Sequence, residues 1–126
     1  MFRKVDCLRV HVPDVPQALA FYSDKLGLPL VWRDGDREVG LKMIDSDTEL
    51  VLTAGKDLPE TDLLVDSVEE ATKRFVAAGG SVFEPPFDIR IGRCAVVQDP
   101  WGNRLVLLDV TKGLLKTDAD RNVVPG

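Results

Sequence analysis

The chain has few of the residues that form cross-links or metal sites: two cysteines and one histidine among 126 residues. Cys7 and Cys94 both fall within strand-like stretches. A chain of this length buries roughly two thirds of its unfolded surface, so it needs no disulfides to fold. The two cysteines therefore do not indicate a disulfide scaffold, and Cys94 is predicted to be a core residue.

Also lacking are a long apolar run and an excess of positive charge. No segment approaches the roughly 20 apolar residues that span a bilayer, and the first residues run into a predicted strand without an apolar signal region. The net charge of −5 argues against non-specific binding to nucleic acid, which needs clustered lysine and arginine. We therefore expect a soluble, cytoplasmic protein with neither a membrane nor a nucleic-acid partner.

What the chain does contain is periodic hydrophobicity. Residues 4–12 alternate between apolar and polar, which predicts a half-buried strand. Apolar residues then recur at helical spacing over Asp14–Leu26, with Asp14 as the N-cap and Gly27 as the terminating glycine. Three further strands are predicted, at Leu28–Trp32, Val39–Ile44 and Thr48–Ala54.

The same pattern returns 53 residues later. A strand is predicted over Glu60–Val65, and Ser67 with Glu70 forms the capping box of a second helix. Three more strands are predicted, at Ser81–Glu84, Cys94–Gln98 and Arg104–Val110. The repeat therefore indicates a duplicated βαβββ pattern, which is a unit of supersecondary size.

This duplication predicts one α+β domain, residues 1–126, that contains two tandem βαβββ modules, residues 1–56 and residues 57–112. Gly55–Pro59 is interpreted as the linker between the modules. The tail, residues 113–126, is predicted to be either a mobile end or an arm laid on a partner subunit.

Two motifs carry a resemblance to a known family. They are Val-Pro-Asp-Val-(x)5-Phe-Tyr-(x)3-Leu-Gly-Leu at residues 12–28 and Asp-Pro-Trp-Gly-Asn-Arg-Leu-Val-Leu-Leu at residues 99–108. Over roughly residues 4–111 the chain resembles the vicinal oxygen chelate superfamily of glyoxalase I, bleomycin-resistance proteins and extradiol dioxygenases. The resemblance implies a concave half-barrel sheet with helices outside and a ligand in the concave cup. It also implies that residues 85–89 cross the mouth of the cup as a lid.

The resemblance further implies where metal ligands would lie. In the metal-dependent members four ligands come from equivalent strands, and the matching positions here are Cys7, Glu49, Glu60 and Val106. Of these four positions only Glu49 holds the residue type that is typical of a metal ligand there. Val106 has no donor atom. The Cys7 thiolate together with two carboxylates would be an unusual ligand set for a catalytic site. We therefore expect no metal cofactor; the alternative is a divalent metal held by Glu49, Glu60 and Cys7.

Strand parity assigns one face of each sheet to the helices and the other to a ligand. The ligand-binding face is predicted to carry Cys7, Arg9, His11, Glu49, Glu60, Asp62, Arg104 and Val106. Its charged residues either neutralise one another, as partly buried charges must, or leave an arginine to grip a carboxylate or phosphate on the ligand. Trp32, Phe87 and Trp101 lie near strand ends, where any of them could close over a ligand.

Two of these residues have a reactive and an unreactive interpretation. His11 is either a general base, because histidine titrates near neutrality, or a residue at the rim. Cys7 is either a thiolate nucleophile or a small core-like replacement for the histidine usual in the family.

Three functions follow from these residues and the resemblance. The favoured one is a metal-independent protein that binds a small polar molecule in the cup, as the bleomycin-resistance group does. The second is a metal-dependent lyase or isomerase of the glyoxalase I type, or a dioxygenase, with Glu49 as ligand or proton carrier. The third is a non-catalytic interaction domain, so whether the chain is an enzyme stays open. A homodimer is predicted from the family and from the exposed edges of the modules.

Overall fold

The computed structural model describes residues 1–55 and 60–125, so most of the predicted linker Gly55–Pro59 lies outside the described residues. The chain divides into two compact units. The first unit consists of Asp6–Glu60 with Lys116–Gly126, and the second consists of Thr61–Leu115 with Met1–Val5. Each unit therefore combines one long segment with a short segment from the opposite end of the chain.

The first unit is a four-stranded sheet with a helix on one face. Its strands lie in the order β2-β3-β4-β1; β1 and β4 are parallel and the other pairs are antiparallel. The elements are β1 (Lys4–His11), α1 (Val15–Leu19), a π segment (Ala20–Lys25), β2 (Leu30–Asp34), β3 (Glu38–Lys42) and β4 (Glu49–Thr53).

The first helix begins where the sequence predicts but changes its winding. The Asp14 side chain caps it by accepting a hydrogen bond from the N–H of Gln17 at 2.9 Å, and Gly27 follows its end with φ of 81°. After Leu19, however, the helix widens into the π segment, and the Leu26 N–H bonds to the Phe21 carbonyl. The prediction of a continuous α-helix over Asp14–Leu26 was wrong in this respect, because apolar spacing over six residues does not separate the two windings.

The second unit repeats the plan with a longer second and third strand. Its strands lie in the order β5-β8-β7-β6, and β5 pairs with β8 in parallel. The Ser67 side chain accepts from the Glu70 N–H at 3.3 Å and caps the helix, as predicted. The elements are β5 (Glu60–Leu64), α2 (Val68–Ala77), β6 (Ser81–Ile89), β7 (Gly92–Gln98) and β8 (Arg104–Leu108).

The predicted lid is part of a strand. Residues 85–89, expected to cross the mouth of the cup, instead continue β6 to Ile89 and pair with β7. Pro85 and Pro86 are tolerated because β6 is an edge strand, where a missing N–H costs no sheet hydrogen bond. Two register shifts flank Glu84 and accommodate the proline pair.

Each unit has its own apolar core between helix and sheet. Alternate strand residues supply it, because successive side chains of a strand point to opposite faces. In the first unit the buried cluster is Val12, Val15, Val39, Leu41 and Leu52. In the second unit it is Val65, Val68, Ala71, Ala95, Val97 and Leu107. Cys94 is buried, as predicted.

A buried carboxylate joins α2 to β7 and β8 in the second unit. Asp109 is 1% exposed, and it accepts hydrogen bonds from the N–H groups of Val68 and Arg93, both at 2.9 Å, and from the Thr111 hydroxyl. Burial by itself raises the pKa of Asp109, but these hydrogen bonds favour the charged form more strongly and hold the pKa below its ordinary value. Sequence periodicity gave no sign of this residue.

The tail is an ordered arm on the first unit. It forms a small hairpin in which the Asp118 N–H bonds to the Asn122 carbonyl at 2.9 Å. The hairpin attaches to the outer edge of β2, since the Val123 N–H bonds to the Arg33 carbonyl at 2.7 Å and the Arg33 N–H bonds to the Arg121 carbonyl at 2.9 Å. The tail was predicted to be either a mobile end or an arm on a partner subunit; in the structure it is an arm that lies on the chain's own β2, which neither alternative describes. No helix among the described residues is long and apolar enough to cross a membrane.

Candidate functional site

The strand register of the first unit defines a face, opposite its core, to which each of the four strands contributes charged or polar side chains. Residues that pair across β1, β4 and β3 lie in rows, and the rows that face away from the core run through Cys7, Arg9 and His11. We call this surface the polar face. It comprises Cys7, Arg9, His11, Trp32, Asp34, Glu38, Gly40, Lys42, Glu49, Val51 and Thr53.

Trp32 covers the middle of the polar face and holds Glu49. The indole Nε1 donates a 2.7 Å hydrogen bond to Oε1 of Glu49. This position is available only because residue 40 is glycine: a Cβ built there would lie 2.1 Å from Nε1. Glu49 is therefore oriented by a side chain of the same sheet, and the Trp32 indole lies over Gly40 of β3.

Arg9 is the centre of a second cluster on the polar face. Its guanidinium forms ion pairs with Glu38 and with Glu60; Nε lies 3.5 Å from the Glu60 carboxylate. Nε is shielded from solvent and makes no hydrogen bond to any described residue. Charged residues of this face were predicted to pair with one another, and Arg9 and Glu60 do so. Glu38, the other partner of Arg9, was not among the residues predicted for the site.

A cavity of about 310 Å³ opens beside this cluster. It is lined by Arg9, Arg37, Glu38, Thr53 and Gly55. Arg37 also pairs with Asp34, whose carboxylate lies 3.0 Å from its guanidinium. The lining offers N–H donors, carboxylate acceptors and the hydroxyl of the buried Thr53. Such a surface matches a molecule that carries both donors and acceptors.

The two residues with reactive interpretations differ in exposure. Cys7 is buried and pairs in register with Glu49. His11 is exposed at the end of β1, which is the position that the rim interpretation requires. Neither lines the cavity.

The donor set does not fit the metal that the resemblance implies. In the described part of the chain no three His, Cys, Asp or Glu side chains lie close enough to hold one ion. Glu49 accepts from Trp32 and Glu60 pairs with Arg9, so both carboxylates already have protein partners. The fourth matching position is Val106, which has no donor atom. We therefore derive no chemistry from a metal.

The remaining predicted site residues belong to the second unit. Asp62 is buried and pairs in register with Val106. Arg104 is exposed at the start of β8, where its guanidinium stacks over the Phe83 ring, 3.6 Å from the centroid. Trp101, one of the predicted closing aromatics, is 83% exposed in the β7–β8 turn.

The residues that the sequence analysis missed are those of the β2–β3 hairpin. Gly35 has φ of 55°, and the Arg37 N–H bonds to the Asp34 carbonyl at 3.1 Å, so the turn pairs Asp34 with Glu38. Asp34-Gly35 is a turn signal that the sequence itself carries. Extending the register of that turn along β3 identifies Glu38 and Gly40 as residues of the polar face.

Comparisons with known proteins agree with this architecture. The model of the Glyoxalase/Bleomycin resistance protein/Dioxygenase superfamily matches residues 4–107. No curated protein matches the chain.

Solved structures that resemble the chain share its fold at low identity. A hypothetical protein from Bacillus halodurans C-125 has a TM-score of 0.71 at 15% identity, covering 90% of this chain and 98% of its own. The methylmalonyl-CoA epimerase of Streptomyces coelicolor, in complex with 2-nitronate-propionyl-CoA, also has a TM-score of 0.71 at 15% identity, covering 88% and 99%. The epimerase of Mycobacterium tuberculosis has a TM-score of 0.67 at 20% identity, covering 86% and 88%.

These likenesses concern the fold alone. The family model, in contrast, spans most of the sequence, including the whole of the first motif and all but the last residue of the second. The predicted α+β architecture of duplicated βαβββ units is confirmed. The chain belongs to the glyoxalase, bleomycin resistance protein and dioxygenase superfamily.

Proposed function

We propose that this protein binds a small polar molecule in the cavity of the first unit, without a metal. The observation that supports this proposal is the lining of that cavity, where Arg9, Arg37 and Glu38 present both signs of charge around a space of about 310 Å³. Ligand sites in proteins begin at roughly this volume. A space of this size suits a small metabolite better than a large cofactor.

The charge balance narrows the ligand further. Arg9 is already neutralised by Glu38 and Glu60, so a purely anionic ligand would have to displace a glutamate. The 3.5 Å contact of Arg9 with Glu60 is longer than the roughly 2.7–2.9 Å of a strong charge-assisted hydrogen bond. Glu60 is therefore the partner that a ligand acceptor replaces most easily. Glu38 remains to accept from a hydroxyl or ammonium group on the same molecule.

The metal-dependent alternative rests on Glu49. This glutamate keeps the ligand type of the metal-dependent relatives, and Trp32 fixes its orientation on the polar face. In a lyase, isomerase or dioxygenase, Glu49 would have to give up its hydrogen bond from the Trp32 indole. Its carboxylate would then bind a metal or take a proton from the substrate. Such a function predicts activity that chelation abolishes, whereas metal-free binding is unaffected by prolonged chelation.

The proposal is tested by ligand binding to chelator-treated protein. A panel of small zwitterions and polyols is screened for a rise in the melting temperature, because a ligand that binds only the folded state stabilises it. Hits are titrated by calorimetry against wild type, Arg9→Met and Glu38→Gln. We expect both variants to weaken binding at least tenfold.

Arg74→Met is the matched control, since Arg74 is exposed on α2 in the second unit. Equal weakening in the control contradicts the assignment of the cavity. One equivalent of a transition metal that co-purifies and is lost in Glu49→Gln contradicts metal-free binding. A panel without a single hit favours the third function, a non-catalytic interaction domain.

We propose in addition that the protein is a cytoplasmic homodimer. The family resemblance supports the dimer. Light scattering at micromolar concentration is expected to give twice the mass of 13.9 kDa. A monomer mass would refute it.

A further inference from the structure

The C-terminal arm, residues 116–124, lies outside the part of the chain that the family model matches, which is residues 4–107. The arm is a hairpin closed by a bridge between Thr117 and Val123. Two backbone hydrogen bonds attach it to β2: the Arg33 carbonyl accepts from the Val123 N–H at 2.7 Å, and the Arg33 N–H donates to the Arg121 carbonyl at 2.9 Å. Both of these bonds use Arg33.

The side chain of Arg33 holds the turn that follows β2. Its Nε donates to the Gly35 carbonyl at 2.9 Å, and a terminal N–H donates to the Asp36 carboxylate at 2.8 Å. A guanidinium orients its partners because its donors form a planar fork. Arg33 therefore joins the arm, through its backbone, to the β2–β3 turn, through its side chain.

The β2–β3 turn leads directly into two charged residues that line the cavity of the first unit, Arg37 and Glu38. The Arg37 N–H bonds to the Asp34 carbonyl at 3.1 Å, and its guanidinium lies 3.0 Å from the Asp34 carboxylate. The Arg37 carbonyl accepts from the N–H of Ala54, just after β4, at 2.9 Å. Because the turn is bonded in this way at both of its sides, a shift of the turn moves the charged wall of the cavity.

Strand β2 depends on the arm for its outer edge. It is the end strand of the first unit, and its pairing with β3 is irregular between Leu30 and Trp32. Helix α1 packs on β3 and β4. Segments with few packed contacts and exposed backbone hydrogen bonds open locally at a low free energy. Detachment of the arm leaves the N–H and the carbonyl of Arg33 unpaired, so β2 and the turn behind it should open more often.

We propose that the C-terminal arm positions Arg37 and Glu38 through Arg33, which makes Arg33 a positioning residue of the cavity. Attachment of the arm and occupation of the cavity are then coupled, and each strengthens the other by the same factor. Release of the arm loosens the ion pair of Glu38 with Arg9 and weakens binding beside it. The inference rests on the proposed function for its ligand, but the positioning itself is measured without one.

The test detaches the arm in the full chain and measures the coupling between Arg9 and Glu38. Val123→Pro removes the N–H that donates to the Arg33 carbonyl. A double-mutant cycle of Arg9→Met and Glu38→Gln is then measured by urea denaturation in the wild-type and Val123→Pro backgrounds. We expect the coupling to fall to about half or less when the arm is detached. A purely structural arm would lower the free energy of unfolding of all four chains equally and leave the coupling unchanged, which would overturn the proposal.

Arg33→Gln tests the path from the arm to the turn, since it removes the guanidinium and keeps both backbone bonds to the arm. In hydrogen exchange followed by NMR, the Val123 amide should stay protected, whereas the amides of Arg37 and Ala54 should exchange about tenfold faster. Unchanged exchange at Arg37 would mean that the turn does not depend on Arg33. Equal acceleration at Val123 would mean that the side chain holds the arm and not the turn. Either result overturns the proposal.

Ala119→Pro is the matched control for Val123→Pro, because Ala119 is exposed at the second position of the arm's own turn, where proline is favoured. It should keep the full coupling. Arg3→Gln is the matched control for Arg33→Gln, since it removes an exposed arginine that pairs with Asp66. It should leave exchange in the first unit as in wild type. Equal effects in either control contradict the proposal.

The outcomes for this inference and for the proposed function are distinguishable. A coupling that falls in Val123→Pro, together with a ligand screen without a hit, supports the positioning by the arm and contradicts only the binding function. An unchanged coupling in a protein that does bind a ligand at Arg9 and Glu38 contradicts only the positioning. Arg33→Gln keeps the arm attached and decides the question if Val123→Pro fails to fold.

Discussion

The indole N–H of Trp32 and the carboxylate of Glu49 are joined by a 2.7 Å hydrogen bond across β3 of the first unit. The bond exists because Gly40 leaves room for the indole between them. Glu49 is the residue that keeps a metal-ligand type in the sequence, and this bond gives it a protein partner instead. The indole that fits over Gly40 also explains why the Glu49 carboxylate can lie half-buried beside the buried Val51. The Trp32 N–H supplies a hydrogen bond to one of its oxygens.

Gly40→Ala is expected to displace the indole of Trp32 and to break its bond to Glu49. Overpacking of this kind costs on the order of 1–3 kcal/mol of unfolding free energy. Urea denaturation measures the cost, and tryptophan fluorescence reports the indole in a Trp101→Phe background, since Trp101 is the other tryptophan and is exposed. In a Trp32→Leu background the cost of Gly40→Ala should largely disappear. A cost that persists there would contradict the role of Trp32.

Arg9→Met is expected to destabilise the first unit, because it leaves Glu38 and Glu60 as adjacent carboxylates without a cation. The loss should be about 1–3 kcal/mol, in the range for an unsatisfied charged group that keeps some access to solvent. A double-mutant cycle with Glu38→Gln measures the coupling. The double variant should be more stable than Arg9→Met alone. A coupling of zero would mean that the ion pair contributes nothing.

Asp109 should make stability depend on pH in acid. Its pKa is lower in the folded chain than the roughly 3.9 of an unfolded aspartate, so the unfolded state binds the proton first. The stabilisation is fully present above the unfolded pKa and is lost as the pH falls through the folded one. Between pH 7 and pH 3 wild type should therefore lose more unfolding free energy than Asp109→Asn. Asp24→Asn, at an exposed position, controls for charge alone; equal slopes in all three proteins would contradict the prediction.

Removal of the tail after Leu115 is expected to expose the edge of β2. The two backbone hydrogen bonds at Arg33 are then lost, and its amide should exchange with deuterium faster by at least tenfold. Hydrogen exchange followed by NMR makes the comparison. A chain shortened only by Pro125 and Gly126 is the control and should exchange as the full chain does. Unchanged exchange at Arg33 in the longer truncation would mean that the arm does not protect β2.

The regular parts of the fold could be predicted because their signals are local. Alternation along residues 4–12 predicts β1, and the caps at Asp14 and Ser67 mark where both helices begin. The extension of β6 through Pro85 and Pro86 could not be predicted in this way. Proline argues against a strand unless the strand is known to be an edge, and edges are set by tertiary pairing.

The candidate site was predicted in part for the same reason. Parity placed Arg9 and Glu49 on one face, and the structure agrees. The partners of these residues, Glu38 and Trp32, come from other strands, and the register between strands depends on turn geometry. The fit of Trp32 over Gly40 is a packing relation across 8 positions of sequence, which hydrophobic periodicity does not encode.

The ends of the chain carry a practical consequence. Residues 1–5 are grouped with the half that follows Glu60, and the segment from Lys116 is grouped with the half that precedes it. A cut between Gly55 and Glu60 would therefore not liberate two self-sufficient fragments, because each would lack a piece held by the other. Expression of one half by itself therefore requires that its distant terminal piece be joined to it through a linker.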